Sequence, residues 1–123
     1  MDRRISESEW AVMEVLWYSS RPVSATDVAE ALSEERDWTL ATVKTLLSRL
    51  TAKGVVAFDK DGRRFLYRSL VTRDSVLGKE SRRFVDRLFG GQLSPLMARL
   101  AEEDALDDAD IEAIEKLLKA LKS

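Results

Sequence analysis

The sequence predicts a mainly α-helical protein with a small β-hairpin wing, in which three helices precede the hairpin and a helical tail follows it. Ser6, Ser24 and Thr39 each stand just before apolar residues that recur at helical spacing, as N-cap residues do. An Asp-Gly pair further along lies between two short apolar runs, which is the pattern of a β-hairpin. We therefore interpret residues 1–71 as a winged helix-turn-helix domain and residues 72–123 as a helical dimerisation domain.

The first three helices have well-marked ends. Ser6 with Glu9, and Ser24 with Asp27, have the spacing of a capping box, in which each residue binds the backbone N–H of the other. Gly54 is predicted to end the third helix, because glycine adopts the left-handed conformation of a helix C-terminus without strain. The inward-facing residues that we expect in the core are Trp10, Met13, Leu16, Trp17, Val28, Ala31, Leu32, Trp38, Val43, Leu46, Leu47 and Leu50.

A β-hairpin is predicted directly after the third helix. The runs Val55–Lys60 and Arg63–Ser69 supply its strands, and Asp61-Gly62 supplies its turn. Because side chains alternate along a strand, Arg63 and Arg64 are expected on opposite faces of the hairpin. A short polar helix followed by a basic hairpin is the layout of a winged helix-turn-helix that binds DNA.

Three further helices are predicted in the tail. The first opens at Thr72 or Arg73 and ends at Gly90-Gly91, the second opens at Ser94-Pro95 as cap and first helical residue, and the third follows Asp107. Each is short and carries a wide apolar stripe, so we expect two copies to pair as a homodimer; the alternative is that the tail folds back on the first domain. The residues predicted to form the dimer are Val76, Phe84, Leu88, Phe89, Leu96, Met97, Leu100, Ile111, Ile114, Leu117, Leu118 and Leu121.

The net charge of −2 is unevenly distributed along the chain. Residues 39–83 contain 11 basic and 4 acidic side chains, a net charge of +7, whereas residues 1–38 and 84–123 have net charges of −5 and −4. Phosphate groups respond to the local field rather than to the total charge. Charged runs are often no more than solvated surface, but this one coincides with the third helix and the hairpin, so we predict double-stranded DNA as a partner.

Composition excludes several other classes of protein. The chain has no Cys and no His, so we expect no disulfide, no thiol chemistry, no structural zinc or copper site and no cofactor. It also lacks a Gly-rich phosphate loop, and its acidic tail lacks the spacing of a calcium loop, so an enzyme is not expected. No apolar run approaches the roughly 18 residues of a membrane span, and none resembles a signal peptide; we therefore expect no membrane insertion and a cytoplasmic location.

The outward face of the third helix supplies the predicted base contacts. Thr42 and Thr45 can meet bases through hydroxyl or methyl groups, and Lys44 and Arg49 can bind guanine edges or phosphates. The residues predicted to face outward on this helix are Ala41, Thr42, Lys44, Thr45, Ser48 and Arg49. The predicted phosphate contacts are Lys53, Lys60, Arg63, Arg64 and Arg68, with Ser24 or Thr26 where the second helix exposes its first N–H groups.

Several segments together resemble the BlaI/MecI/CopY family of bacterial repressors. They are Ile5–Trp17, Thr42–Leu50, Lys53-Gly54, Gly62–Tyr67 and Leu88–Gly91, and the resemblance covers nearly the whole chain. It implies a winged-helix domain, a helical dimerisation domain, and repression at palindromic operators built on TACA/TGTA half-sites. Copper-responsive members carry a C-terminal Cys-x-Cys motif, and the absence of Cys excludes that mechanism here.

The resemblance also implies a mode of release. Antibiotic-responsive members are inactivated when a membrane sensor-protease pathway leads to cleavage in the C-terminal domain. Alignment on Leu106 and Ile111 places the corresponding bond at Arg99–Leu100, where Arg99 stands in place of the usual Asn. Cleavage there would separate the final helix from the rest and weaken the dimer.

The residues leave one other class of function open, a winged-helix module for protein interaction with an acidic dimer tail. In that case the basic segment has no nucleic-acid partner. Because binding to DNA releases counterions in proportion to the phosphates contacted, steep salt dependence separates the two functions.

Overall fold

The computed structural model describes residues 4–122 and confirms the predicted fold class. Along these residues, three helices precede one hairpin and three follow it. The chain divides into two compact units, the first reaching Lys79 and the second beginning at Glu80. This division lies later than the boundary that we predicted between residues 71 and 72. The elements are α1 (Glu7–Tyr18), α2 (Ala25–Ala31), α3 (Leu40–Ala52), β1 (Val56–Asp61), β2 (Arg64–Ser69), α4 (Arg73–Phe89), α5 (Leu93–Glu102) and α6 (Asp108–Lys122).

The predicted N-caps of the first three helices are confirmed. The Ser6 hydroxyl accepts from the Glu9 N–H at 3.1 Å, and the Glu9 carboxylate accepts from the Ser6 N–H at 2.8 Å. Ser24 and Asp27 repeat this capping box at the start of α2. Thr39 caps α3 through the N–H of Thr42 at 3.1 Å, but its partner at this position is a threonine and not an acid.

The core of the first unit lies between α1, α2, α3 and the hairpin. Most of the predicted inward residues are buried, whereas Ala31 at the end of α2 is exposed. Trp10, Trp17 and Trp38 pack against the core from its edge, and the Trp17 indole N–H donates to the Val71 carbonyl at 3.0 Å. The buried apolar residues are Ile5, Val12, Met13, Leu16, Ala25, Val28, Leu32, Val43, Leu46, Leu47, Leu50, Val55, Val56, Tyr67 and Val76.

The hairpin turn lies one residue later than predicted. Asp61 pairs with Arg64, so the two loop residues are Gly62, which has a φ of +66°, and Arg63. The predicted turn would have placed Lys60 opposite Arg63, and like charges directly opposite each other destabilise a strand pair. The observed register instead joins Arg64 to Asp61 by an ion pair of 3.2 Å.

An isolated β-bridge between Val23 and Tyr67, which the sequence did not reveal, joins the hairpin to the segment before α2. The N–H of Val23 donates to the Tyr67 carbonyl at 3.1 Å, and the Tyr67 N–H donates to the Val23 carbonyl at 2.7 Å. These bonds fix β2 to the segment that leads into α2. They therefore hold the wing in a defined position beside the helices.

The first turn of α4 packs with the winged helix. Thr72 caps it through the N–H of Ser75 at 3.2 Å, and the Arg73 Nε lies 3.7 Å from a carboxylate oxygen of Glu14 on α1. Val76 is 9% exposed and belongs to the core of the first unit. Val76 is thus already covered within one chain, and we remove it from the predicted dimer surface.

The second unit contains α5 and α6, and the described parts of these helices bury no residue. Gly90 and Gly91 have positive φ and end α4 as predicted. The predicted start of α5 was wrong, because that helix begins at Leu93 after Gln92, and Ser94 forms no cap. Asp107 caps α6 as predicted, accepting from the Asp110 N–H at 2.8 Å.

None of the helices between residues 4 and 122 has the length and apolar character that crossing a membrane requires.

Candidate nucleic-acid interface

The outward face of α3 has the composition that the sequence predicted. Val43, Leu46, Leu47 and Leu50 are all buried, which turns the opposite side of the helix to solvent. The exposed residues on that side are Ala41, Thr42, Lys44, Thr45, Ser48 and Arg49. A helix held by one apolar face and free on the other can enter the major groove of DNA.

The threonine hydroxyls on this face already have partners within the helix. The Thr45 hydroxyl donates to the Ala41 carbonyl at 3.0 Å. The hydroxyl oxygens of Thr42 and Thr39 lie 3.1 Å apart and share a hydrogen bond. Each of these hydroxyl groups therefore already forms one hydrogen bond within the protein, while the methyl groups of Thr42 and Thr45 have no such partner.

The positive charge of α3 is not neutralised by its neighbours. Lys44 and Arg49 are exposed and form no ion pair with any residue between 4 and 122. The first turn of α3 also lacks an acidic residue, whereas the first turns of α1, α2 and α6 each contain at least one. Because a helix N-terminus carries partial positive charge, this end of α3 favours an anion.

The strands of the wing place Arg64 and Arg68 on one face and the aromatic residues on the other. Arg64 pairs with Asp61, and Arg68 lies 3.6 Å from Asp59, in both cases with exposed side chains. Exposed ion pairs contribute little to stability, so a phosphate can displace these carboxylates. Arg63 lies in the turn, is exposed, and pairs with no acid in the described part of the chain.

Lys60 belongs to the opposite face of the wing. Its ammonium group lies 5.7 Å from the centre of the Phe65 ring, which packs against Phe58 at 4.5 Å between ring centres. Phe58 and Phe65 are 41% and 37% exposed. We did not predict this aromatic surface, although strand alternation places both rings with Lys60 on one face.

The start of α2 has fewer free hydrogen-bonding groups for a phosphate than the sequence predicted. Ser24 is buried, and both its hydroxyl and its N–H are used by Asp27. The pKa of Asp27 is lowered, first by these hydrogen bonds from Ser24 and then by the charges of Arg64 and Arg21. A carboxylate thus occupies the N-terminus of α2, so we remove Ser24 from the candidate site, whereas Thr26 stays exposed on its rim.

Lys53 has a partner inside the fold. Its ammonium group lies 2.5 Å from a carboxylate oxygen of Glu9 and 2.7 Å from the Arg4 carbonyl oxygen. Burial raises the pKa of Glu9, but hydrogen bonds from Lys53 and Ser6 outweigh it and leave the pKa lowered. Because its charge balances a carboxylate that is only 2% exposed, we remove Lys53 from the candidate phosphate contacts.

Two further residues lie near the interface and were not predicted from the sequence. Leu40, the first residue of α3, is 40% exposed beside the predicted base contacts. Arg21 is exposed just before α2, and its charge acts on Asp27. A helical wheel places Leu40 on the apolar side of α3, seven residues before Leu47, so the sequence pattern gave no sign of its exposure. Only the fold brings Arg21 close to the wing.

Comparison with known sequences identifies related proteins. A protein-family model described as penicillinase repressor matches residues 5–120. The methicillin resistance regulatory protein MecI of Mammaliicoccus sciuri is 32% identical over 114 residues, which are 93% of this chain and 92% of that protein. These similarities confirm the resemblance drawn from the sequence.

Comparison with solved structures points to the same group. The solution structure of the DNA-binding domain of the repressor BlaI aligns with a TM-score of 0.53 and 34% identity, over 58% of this chain and 85% of that chain. The solution structure of the Bacillus licheniformis BlaI monomeric form in complex with the blaP half-operator aligns with a TM-score of 0.50 and 34% identity, with coverage of 58% and 85%. The second of these relatives was therefore solved with DNA.

Proposed function

This chain belongs to the penicillinase repressor family, and from that membership we propose that it represses transcription by binding operator DNA through α3 and the wing. The observation that carries the proposal is the basic surface on which Lys44, Arg49 and Arg63 are exposed and unpaired among the described residues. The family consists of repressors and not of enzymes. Operator DNA lies in the bacterial cytoplasm, which is where we propose that this protein acts.

The two elements have different tasks in this proposal. The outward face of α3 enters the major groove, where Ala41, Thr42 and Thr45 meet base edges. Phosphate contacts fix the register of the protein on the duplex without reading its sequence. We assign Lys44 and Arg49 to phosphates or guanine. The residues that we assign to phosphates alone are Arg63, Arg64 and Arg68, with Ser48 and Thr26 at the edge of the surface and Lys60 on the opposite face of the wing.

DNA binding is favoured over the alternative of a protein-interaction module. BlaI, at 34% identity, was solved in complex with a half-operator. Unpaired cations on a groove-sized helix also match phosphate chemistry better than they match an apolar protein partner.

We propose that two copies bind together through the second unit. Its helices leave large apolar side chains in solvent, including Leu117 at 59% exposure and Leu121 at 73% exposure. Apolar stripes of this kind are normally covered, and a second copy presents the same stripe. The residues assigned to this dimer surface are Phe84, Leu88, Phe89, Leu96, Met97, Leu100, Ile111, Ile114, Leu117, Leu118 and Leu121.

We further propose that cleavage at Arg99–Leu100, downstream of a membrane sensor-protease, releases the operator. Arg99 is exposed on α5, and its ion pair with Glu102 is exposed and weak. Incubation of the full chain with an activated sensor of this type should yield two fragments that mass spectrometry assigns to this bond. A chain that stays intact while repression is lost would contradict this part of the proposal.

Two alanine variants test the DNA-binding surface. A duplex selected from a random pool by the full chain serves as the probe, with unselected duplex as the comparison. Lys44→Ala should weaken binding to the selected duplex by about tenfold, because one cation facing the groove is lost. Arg64→Ala should weaken binding to both duplexes about equally and lower the salt slope by about one unit, as loss of a phosphate contact does.

Lys119→Ala is the matched control, since it removes a cation from the polar side of α6. It should leave affinity and salt slope unchanged. If Lys44→Ala and Arg64→Ala behave like this control, the assigned surface does not bind DNA.

A further inference from the structure

The first two turns of α3 present methyl groups at their centre, and the hydroxyl of Thr45 there is already engaged as a hydrogen-bond donor. Thr45 donates its hydroxyl proton to the Ala41 carbonyl at 3.0 Å. A hydroxyl has a single proton, so while this bond exists Thr45 has none to donate to a base. Ala41 itself offers only its methyl group, and both residues are exposed.

Ala41 and Thr45 form one continuous patch. Residues four apart lie on the same side of a helix, one turn above the other. Thr42 lies beside them, three residues before Thr45, and its hydroxyl shares a hydrogen bond with Thr39 at 3.1 Å. Lys44 and Arg49 are exposed on either side, so the patch is an apolar spot within a cationic surface.

Among the four bases, thymine alone carries a methyl group in the major groove. The other bases present only hydrogen-bond donors and acceptors there. A methyl patch against thymine removes apolar area from water, whereas against the other bases it covers polar edges that receive no partner.

We propose that α3 selects thymine through the methyl groups of Ala41 and Thr45, so that base choice at this position depends on apolar contact and not on a hydrogen bond donated by Thr45. The inference rests on the proposed function, because it assumes that α3 enters the major groove. The sequence alone left open whether Thr45 meets a base through its hydroxyl or through its methyl group, and this inference assigns the contact to the methyl group.

The first test changes only the DNA. Duplexes selected from a random pool by the full chain are remade with deoxyuridine in place of each thymine in turn, which removes one methyl group at a time. At the contacted thymine, affinity should fall by about fourfold, the effect of losing one buried methyl. Selected duplexes without a required thymine, or affinity that deoxyuridine never changes, would overturn the inference.

The second test separates the two halves of the Thr45 side chain. Thr45→Val keeps the methyl and removes the hydroxyl, while Thr45→Ser keeps the hydroxyl and removes the methyl. Thr45→Val should bind like the unaltered protein, and Thr45→Ser should bind about fourfold more weakly and lose its sensitivity to deoxyuridine. The opposite pattern, with Thr45→Val weak and Thr45→Ser unchanged, would show that the hydroxyl reads the base.

The outcomes also distinguish failure of this inference from failure of the proposed DNA-binding function. If the full chain recovers no duplex from the pool, DNA binding itself fails. If it recovers a duplex whose affinity is unchanged by deoxyuridine, the repressor function stands and only the methyl contact is rejected.

Discussion

Replacing Leu117 and Leu121 by glutamine should reduce affinity for an inverted-repeat operator by about 100-fold or more. Both leucines are exposed within one chain, so the substitution removes little packing from the monomer. It does remove apolar area from the surface that we assign to the dimer. Two winged helices that are no longer joined bind their half-sites independently, and the gain from effective concentration is lost.

The polar side of the same helix provides a matched control. Glu112→Gln with Lys119→Gln also introduces two glutamines and leaves the net charge unchanged. Sedimentation should show the leucine variant as a monomer and the control as a dimer, with equal helix content by circular dichroism. A leucine variant that stays dimeric and keeps its operator affinity would show that α6 does not form the dimer surface.

Replacing Lys53 by methionine should lower the free energy of unfolding of the first unit by about 3 kcal/mol. The substitution leaves the carboxylate of Glu9 buried without its cation, and an uncompensated buried charge is costly. All three tryptophans precede Lys53 in the first unit, so tryptophan fluorescence during urea unfolding reports this loss. Lys44→Met, which removes an exposed lysine from α3, should change stability by less than about 0.5 kcal/mol.

The dependence of this effect on pH follows from the pKa of Glu9. That pKa is lowered in the folded protein, so the contribution of Glu9 is complete above its unfolded value near 4.5 and is lost as pH falls through the lower folded value. In Lys53→Met the hydrogen bond and the charge of Lys53, both of which lower the pKa of Glu9, are gone, so the pKa of Glu9 lies above its value in the unaltered protein. The stability difference between the two proteins should therefore shrink as the pH is lowered from neutral to below 4.5. A difference that stays constant over this range would contradict the role assigned to the pair.

Local rules were sufficient for the starts of the first three helices and for the exposed face of α3. The caps at Ser6, Ser24 and Thr39 depend on residues three positions away, so their patterns can be read directly from the sequence. The outward positions of α3 follow from the apolar spacing of the same helix. The hairpin turn was harder to predict, because Gly62 is compatible both with the predicted turn at Asp61-Gly62 and with the observed turn at Gly62-Arg63. The charges that each register places opposite each other decide between the two turns.

Residues that pair over long distances could not be predicted. Lys53 looked like a phosphate contact, because nothing near it in sequence suggests Glu9, which lies 44 positions earlier. Val76 belongs to the apolar stripe of the first tail helix, yet it packs into the core formed by the helices and hairpin of the first unit. Val23 forms its strand contact with Tyr67 across the fold, and a single residue gives no strand pattern.

The most direct measurement is the stoichiometry and salt dependence of the complex between the full chain and a duplex that carries an inverted repeat of the selected half-site. Two chains should bind each duplex, and affinity should fall steeply with salt, with a log–log slope of about −5 if some six phosphates are contacted. One chain per duplex, or affinity that salt does not alter, would contradict the claim that a symmetric pair of basic surfaces binds operator DNA.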